Sequence, residues 1–250
     1  MTNLTIALQL YTIRDFTASD LPGTLQQVKA MGYNAVELAG MYGLSAEQLK
    51  AELDAAGLTA FSAHVPFTQF ESDPKGTVDA YKMLGCKYVG IPILNKTDLP
   101  GCENWQYVQG VIATAAALCK EANMPLMYHN HAFEFEKLQN GKYILDEIFG
   151  TTGMLAELDT GWITAAGQCP VAYINKYTGR LPIVHLKDTV KTGESYEDRP
   201  VGQGSQDMAA ILQAAKDAGA TGVVVELDRS VGMTSLEAAR QSLEYLKDRT

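Results

Sequence analysis

The stretch "KAMGYNAVELAG", residues 29–40, contains the pattern that decides the fold. A helical segment ends at Met31-Gly32, and an apolar strand follows almost at once and closes with a carboxylate, Glu37. A glycine directly after a helix readily adopts the left-handed conformation that ends it. The same succession of helix, glycine and strand recurs at Ala56-Gly57, Leu84-Gly85 and Ala218-Gly219. The chain is therefore expected to alternate between helices and strands.

Eight short β-rich runs alternate with helical segments along the whole chain. This alternation is typical of right-handed βαβ units and a parallel sheet, and eight such units in 250 residues match a (β/α)8 TIM barrel. A doubly wound open sheet is the alternative, but no G-x-G-x-x-G motif follows the first strand. We predict one barrel domain over residues 1–250, with strands in the runs 4–10, 35–40, 58–64, 87–93, 125–131, 154–160, 181–187 and 222–228.

The composition argues against several classes of partner. The formal net charge is −9, whereas nucleic acid and anionic membranes attract basic surfaces, so we expect neither as a partner. No apolar run approaches the ~20 residues of a membrane span, and the N-terminus does not resemble a signal peptide. The four cysteines form no CxxC pair. These features predict a cytoplasmic protein and leave open whether it forms a homo-oligomer.

Polar side chains stand at the ends of the predicted strands. All strands of a parallel barrel end on one rim, where the active sites of such barrels lie, so these side chains should converge. Each alone has an ordinary structural explanation; Asp159, for example, is also suited to cap the next helix. A buried carboxylate such as Glu226, which follows three valines, needs a cation or several donors. One cation at the barrel mouth explains the whole set: Gln9, Glu37, His64, His129, Asp159, His185 and Glu226.

The mixture of imidazole and carboxylate groups indicates which ion and which chemistry to expect. Such ligands suit Mn²⁺, Co²⁺, Fe²⁺ or Zn²⁺ better than Mg²⁺, which prefers oxygen ligands. A bound divalent ion polarises a carbonyl and stabilises an enediolate, so that a nearby base can remove the adjacent proton. The rim therefore predicts metal-dependent proton abstraction next to a carbonyl.

Seven segments between about residues 4 and 228 carry a family likeness. The chain resembles the xylose isomerase-like barrels of the sugar phosphate isomerase/epimerase family, whose superfamily includes inosose dehydratases, ketose epimerases and endonuclease IV. The combination of the fourth, fifth and sixth segments is specific, although each alone is weak. The segments are "LQLYTIRD", "AVEL", "SAHVPF", "YHNHAFEF", "LDTGW", "HLKD" and "VVELD".

The resemblance implies one divalent metal ion held by four strand-end residues. The family uses a Glu on strand five, an Asp on strand six, a His on strand seven and a Glu on strand eight. Asp159, His185 and Glu226 match the last three positions. His129 stands where the family has its first Glu, and we expect it to be the fourth ligand.

The resemblance also implies catalytic and substrate-binding groups. Side chains two residues apart in a strand point to the same face. His131 should therefore lie above the metal beside His129. Related dehydratases have a catalytic His at this offset, which makes His131 the predicted general base. Glu134 and Lys187 are the other predicted catalytic groups, the alternative for Lys187 being an ion pair with Asp159 or Asp188. The expected substrate contacts are Glu37, His64 and Trp162.

The implied function is that of a metal-dependent isomerase or epimerase acting on a ketose, inosose or keto-sugar. A lyase or dehydratase that eliminates from a keto-sugar, keto-glycoside or keto-inositol at the same site is the alternative, and a non-catalytic sugar-binding barrel is a further one. Endonuclease IV chemistry requires a His-rich three-metal cluster, and this acidic chain has four histidines. The segment 188–205 carries charges of both signs, so a neutral carbohydrate or cyclitol is favoured over a phosphorylated one.

Overall fold

A computed structural model describes residues 4–250, and all eight predicted barrel strands are present in it. Each is somewhat shorter than its predicted run, because the last residues of several runs already lie in the rim loops. Two additional strands form a hairpin. The strands are β1 (Thr5–Gln9), β2 (Ala35–Ala39), β3 (Thr59–His64), β4 (Tyr88–Ile91), β5 (Leu126–His129), β6 (Leu155–Asp159), β7 (Ile183–Leu186), β8 (Asp188–Thr192), β9 (Ser195–Arg199) and β10 (Gly222–Val225).

Helices connect the strands on the outside of the barrel. The helix after β2 begins with a capping box: the Ser45 hydroxyl accepts from the Gln48 backbone amide, and the Gln48 side chain accepts from the Ser45 backbone amide. The helices are α1 (Arg14–Thr17), α2 (Leu21–Met31), α3 (Ala46–Ala56), α4 (Phe67–Ser72), α5 (Pro74–Met83), α6 (Trp105–Glu121), α7 (Ile144–Thr152), α8 (Thr160–Ala165), α9 (Pro170–Lys176), α10 (Met208–Asp217) and α11 (Ser235–Leu246).

The sheet closes on itself as a parallel barrel. Its strand order is β1-β2-β3-β4-β5-β6-β7-β10, and β10 pairs with β1 to complete the circle. The pairing also sets the level of each rim residue: His129 is opposite Glu157, whereas Asp159 is opposite His185. This stagger decides which polar side chains meet inside the barrel.

Two apolar layers hold the fold together. One lies between the outer faces of the strands and the surrounding helices and contains most of the buried apolar side chains. The other fills the lower part of the barrel interior, so the barrel is not an open pore. Above this plug the inward-facing positions become polar. The plug consists of Ala7, Ala35, Phe61, Tyr88, Met127, Ile183 and Val224, with Leu155 packed against it.

The segment 188–205, which lies between two of the predicted strands, begins with an antiparallel hairpin. Strands β8 and β9 pair from Asp188↔Arg199 to Thr192↔Ser195. Gly193 makes the tight turn possible with a φ of 62°, a conformation that favours glycine. Across residues 4–250, no helix combines the length and the apolar character that crossing a bilayer requires.

Candidate active site

The four histidines of the chain form one cluster in the upper barrel. The rings of His64 and His185 are stacked with their centroids 5.2 Å apart, and the ring of His129 stands 4.8 Å and 4.6 Å from them. The His131 ring is on the outer side, 5.2 Å from that of His129. The structure thus brings together side chains from β3, β5 and β7 that are far apart in sequence.

A layer of buried polar groups forms the floor of this cluster. Glu37 is fully buried. Its Oε1 accepts a hydrogen bond of 2.7 Å from the Gln9 side chain and lies 2.8 Å from Nε2 of His185. Its Oε2 accepts a hydrogen bond of 2.5 Å from the Ser62 hydroxyl. Glu37 therefore supports the histidines from below and does not line the mouth, so its predicted role as a substrate contact does not fit.

Glu157 of β6 completes the floor, and the sequence analysis missed it. Its Oε2 is 3.0 Å from Nε2 of His64 and its Oε1 is 3.3 Å from Nε2 of His185. The available signal was the strand periodicity: Glu157 precedes Asp159 by two residues, so both carboxylates face the interior. An apolar strand with two acidic residues on its inner face indicates a cationic centre.

Above the floor, four donor atoms match the predicted metal-binding set. Nε2 of His129 lies 4.0 Å from Oδ2 of Asp159 and 4.0 Å from Oε2 of Glu226. Nδ1 of His185 is 2.9 Å from the same Glu226 oxygen. One donor atom from each residue lies within 4.8 Å of the other three. Two atoms that each bind one ion at roughly 2.0–2.2 Å are at most about 4.4 Å apart, so the four donors lie close to binding distance.

A second set of donors, containing Glu157, overlaps the first. His64, His129, Glu157 and His185 also lie within 4.8 Å of one another. Its only carboxylate belongs to the floor. His129 and Glu226 line the mouth pocket, whereas Glu157 does not. An ion in the upper set is therefore the one that a substrate in the mouth can reach.

The upper set has the chemistry that a divalent ion requires. Burial, and then the neighbouring His185, hold the pKa of His129 well below its ordinary value, so this imidazole is a neutral donor. Burial raises the pKa of Glu226, but Lys187 and His185 outweigh it and hold the pKa well below its usual range. Oδ2 of Asp159 is buried and accepts no hydrogen bond. A neutral imidazole beside carboxylates suits a borderline divalent ion.

Lys187 already provides a cation at the edge of this set. Its side chain is 2% exposed, and Nζ lies 3.1 Å from Asp159, 3.4 Å from Glu226 and 2.9 Å from Asp228. Burial lowers its pKa, but the three carboxylates outweigh burial and raise the pKa well above its ordinary value. The ion pair with Asp159 that the sequence left as an alternative is present, and the ammonium shares two carboxylates with the predicted metal ion.

Carboxylates outnumber fixed cations in this region. The excess negative charge explains the state of two histidines: burial lowers the pKa of His64 and His185, but Glu37 and Glu157 outweigh it and raise both. A divalent ion would relieve the same imbalance, because buried charge is costly unless it is paired. The carboxylates are Glu37, Glu157, Asp159, Glu226 and Asp228, against the single ammonium of Lys187.

His131 lies at the mouth as a neutral base. Burial, and then the charge of Lys187, lower its pKa to about 4, so the imidazole is unprotonated at neutral pH. Nδ1 is buried without a hydrogen-bond partner, while the ring lines the mouth pocket. Nε2 is therefore the nitrogen open to a substrate.

Glu134 does not reach the mouth. It is fully buried, and its two oxygens accept hydrogen bonds of 2.8 Å from the Tyr128 hydroxyl and 2.8 Å from the His131 backbone amide. Tyr128 alternates with His129 along β5 and therefore points out of the barrel. Glu134 consequently holds the backbone that carries His131, and its predicted role as a catalytic group does not fit.

The mouth pocket above the metal-binding set has a volume of about 320 Å³. His64, one of the predicted substrate contacts, lines it together with Tyr11 and Pro92. Trp162 does not: it lines an adjoining pocket, with its ring centroid 5.4 Å from that of His131. The predicted substrate contacts therefore divide among the mouth (His64), the adjoining pocket (Trp162) and the floor (Glu37).

The glycine pair in the loop after β9 is not free to bind a phosphate. The amides of Gly202 and Gly204 each donate a hydrogen bond of 2.9 Å to Oδ2 of Asp188. Because these donors are satisfied within the chain, the loop presents no nest for an anion. This arrangement agrees with the expectation of a neutral substrate.

Comparison with known proteins establishes the family. Residues 25–249 match the family model described as a xylose isomerase-like TIM barrel. The chain belongs to this family. A curated relative, the inosose dehydratase of Clostridium beijerinckii, is 25% identical over 190 residues, which are 66% of this chain and 62% of the relative. The chain thus spans less than two thirds of that relative's length.

Solved structures share the fold of this xylose isomerase-like barrel. A sugar phosphate isomerase/epimerase from Parabacteroides distasonis superposes with a TM-score of 0.81 at 24% identity, covering 98% of this chain and 94% of the other. The IolI protein with a binding zinc atom has a TM-score of 0.73 at 19% identity, covering 98% and 97%. The predictions of the family and of the barrel are confirmed, and the names of these relatives agree with the prediction of an enzyme.

Proposed function

We propose that this barrel is a divalent-metal-dependent enzyme that removes the proton next to the carbonyl of a keto-sugar or keto-cyclitol, and that elimination follows. The observation that supports the proposal most strongly is the placement of His131. Its neutral imidazole lines the mouth directly beside His129, one member of the predicted metal-binding set. A base and an electrophilic centre on the same wall of one pocket suit proton abstraction next to a carbonyl.

His129, Asp159, His185 and Glu226 would hold the ion, and Mn²⁺, Co²⁺, Zn²⁺ or Fe²⁺ suits this set better than Mg²⁺. When bound, a divalent ion supplies electrophilic stabilisation of negative charge on the carbonyl oxygen. The chain itself would orient the set through charge, because Oε1 of Glu37 and Oε1 of Glu157 lie 2.8 Å and 3.3 Å from Nε2 of His185. Such carboxylate partners fix the orientation of a histidine ligand.

Proton transfer is the task of Nε2 of His131. The imidazole takes the proton from the carbon beside the carbonyl, and a carbon–carbon double bond forms as the bond from the next carbon to its hydroxyl oxygen breaks. The imidazolium then returns the proton to the departing oxygen, so that an enone and water are the products. Lys187 remains charged and lines the adjoining pocket, so it would stabilise negative charge on oxygen where that pocket meets the mouth.

The number of side chains at the mouth that can act as a base favours elimination over epimerisation. Inversion at carbon by two bases requires a second base on the opposite face of the substrate. His129 is a predicted metal ligand, and Glu134 points away from the mouth. A single base that takes and returns one proton is sufficient for dehydration, the reaction in the name of the curated relative. Isomerisation, which was predicted first from the sequence, begins with the same proton abstraction and differs only in where the proton returns.

Incubation of the Mn²⁺-loaded protein with a keto-inositol and with neutral keto-sugars in deuterated water tests the proposal. We expect a product that has lost one water and absorbs in the ultraviolet as an enone. Deuterium incorporation without loss of water would indicate isomerisation or epimerisation instead. Metal analysis of the purified protein accompanies the assay. A protein that binds no divalent ion, or a metal-loaded protein that neither exchanges nor converts any substrate, would overturn the proposal and favour a non-catalytic sugar-binding barrel.

A further inference from the structure

The rim holds a second pocket next to the mouth. It lies above the ends of β6, β7 and β10, whereas the mouth pocket lies above β1 to β5 and β10. Its volume is about 460 Å³, which is larger than the mouth pocket at about 320 Å³. Both values are within the roughly 300–1,000 Å³ typical of small-molecule sites. The two pockets together cover the ends of all eight barrel strands.

The wall between the two pockets is thin. Asp228 lines both pockets, and Nζ of Lys187 lies 2.9 Å from its carboxylate. On the other side, His131 of the mouth faces Trp162 of the second pocket across 5.4 Å between ring centroids. A molecule bound beside His131 therefore needs only one additional sugar ring to reach the second pocket.

The lining of the second pocket has the character of a carbohydrate site. Trp162 and Tyr196 supply aromatic surface, and Ser195 and Thr189 supply hydroxyl groups. Glu197 adds a carboxylate at the same wall. Aromatic rings pack against the apolar face of a sugar ring, while carboxylates and hydroxyls accept or donate hydrogen bonds at its rim. The hairpin β8–β9 contributes Ser195, Tyr196 and Glu197, so it forms one wall of the second pocket.

We infer that the second pocket is a subsite for a second ring, so that a keto-glycoside of two linked rings is preferred to a lone keto-sugar or keto-cyclitol. This inference rests on the proposed function, because the first ring is the one whose carbonyl lies at the metal-binding set. The second ring would then be the leaving group of the elimination. The bond that breaks joins a carbon of the first ring to the bridging oxygen, at the position where a lone keto-sugar would lose a hydroxyl. The bridging oxygen stays on the second ring, takes the proton that His131 returns, and leaves as an alcohol, while the first ring becomes the enone.

Trp162 provides a direct probe. The chain has two tryptophans, and Trp105 lies elsewhere, in α6. In a Trp105→Phe background, Trp162 alone reports on the second pocket. We expect cellobiose to change the tryptophan fluorescence and to bind more tightly than glucose. The added change Tyr196→Ala should weaken cellobiose binding by roughly three- to tenfold, as the loss of one aromatic contact predicts, and should affect glucose less.

Tyr107 lies on α6 and is 59% exposed. The change Tyr107→Ala is the matched control and should leave the dissociation constants for glucose and cellobiose unchanged. Equal affinity for glucose and cellobiose, or the same loss for both sugars in Tyr196→Ala, would overturn the subsite while leaving the proposed reaction intact. Failure of cellobiose to bind would also overturn the subsite. If, in addition, the metal-loaded protein converts no keto-sugar, the proposed function is overturned as well.

Discussion

Nε2 of His185 lies 2.8 Å from Oε1 of Glu37, at the base of a site whose top opens into the mouth pocket. This contact directs the opposite nitrogen, Nδ1, upward toward the predicted metal-binding set. A carboxylate behind a histidine ligand fixes its orientation and raises its basicity, and the loss of such a partner costs roughly 10- to 100-fold in metal affinity. The buried floor therefore acts through the histidine and not on the substrate.

Glu37→Gln tests this support. We expect the dissociation constant for Mn²⁺ to rise by roughly 10- to 100-fold, since the amide keeps the shape of the side chain but loses the charge that orients His185. Competition with a chelating dye measures the constant. Glu103→Gln, an exposed carboxylate outside the site, is the control. Equal Mn²⁺ affinity in Glu37→Gln and the wild type would show that the floor does not support the metal site.

His129→Glu introduces the Glu that the family resemblance implies as a ligand at this position. We expect Mn²⁺ to bind about tenfold or more tightly, because a carboxylate attracts this ion more strongly than imidazole does. The metal-free variant should melt at a lower temperature than the wild type, since one more carboxylate joins a region already rich in negative charge. His129→Ala is the comparison and should bind Mn²⁺ more weakly. Tighter binding in His129→Ala would exclude His129 as a ligand.

Lys187→Met should reveal competition between the ammonium and the ion. Removal of this cation leaves the buried Asp159 carboxylate without its ion-pair partner, whereas Glu226 keeps His185. We expect the free energy of unfolding to fall by about 3–5 kcal/mol. Added Mn²⁺ should then stabilise the variant more than the wild type, because the ion replaces the missing charge. Urea unfolding with and without Mn²⁺ measures both effects. Lys137→Met, at an exposed position, provides the baseline; equal stabilisation of both variants by Mn²⁺ would count against competition.

His131→Asn separates proton transfer from metal binding. We expect turnover of a keto-sugar or keto-inositol to fall by roughly 10²-fold or more, the usual contribution of a general base. Mn²⁺ affinity should remain that of the wild type, because His131 lies outside the predicted metal-binding set. Deuterium exchange at the substrate carbon, followed by mass spectrometry, reports the step directly. Exchange at the wild-type rate would remove His131 from the mechanism.

Glu134→Gln should change how stability depends on pH. Burial raises the pKa of Glu134 from 4.5 to about 7, so between these values the folded chain keeps a proton that the unfolded chain releases. Stability from this proton is complete below the lower value and is lost as the pH rises through the upper one. We therefore expect wild-type stability, relative to the non-titrating Gln variant, to fall by about 1–3 kcal/mol from mildly acidic to mildly alkaline pH.

Urea unfolding at both ends of that range provides the measurement for Glu134. The Gln variant also loses one acceptor, for the His131 amide or the Tyr128 hydroxyl, so it should be the less stable protein at acidic pH. Glu136→Gln, at an exposed position two residues away, is the control. A stability difference that stays constant across the range would contradict the raised pKa.

The sequence by itself determined the barrel and the membership of its rim. Three features are local and do not depend on how the chain packs: glycines that end helices, apolar runs of strand length, and polar residues at strand ends. In a parallel barrel every strand ends on the same side, so His129, Asp159, His185 and Glu226 had to meet once the fold was recognised.

Only the tertiary structure decided the depth and direction of each side chain. The stagger between strands sets Glu157 level with His129 and Asp159 level with His185, which buries one carboxylate in the floor and leaves the other in the upper set. The outward turn of Glu134 and the three contacts of Lys187 depend on the same geometry. The spacing in the sequence determines which face of a strand a residue occupies. The register between neighbouring strands determines which residues it contacts, and that register is fixed by packing over the whole barrel.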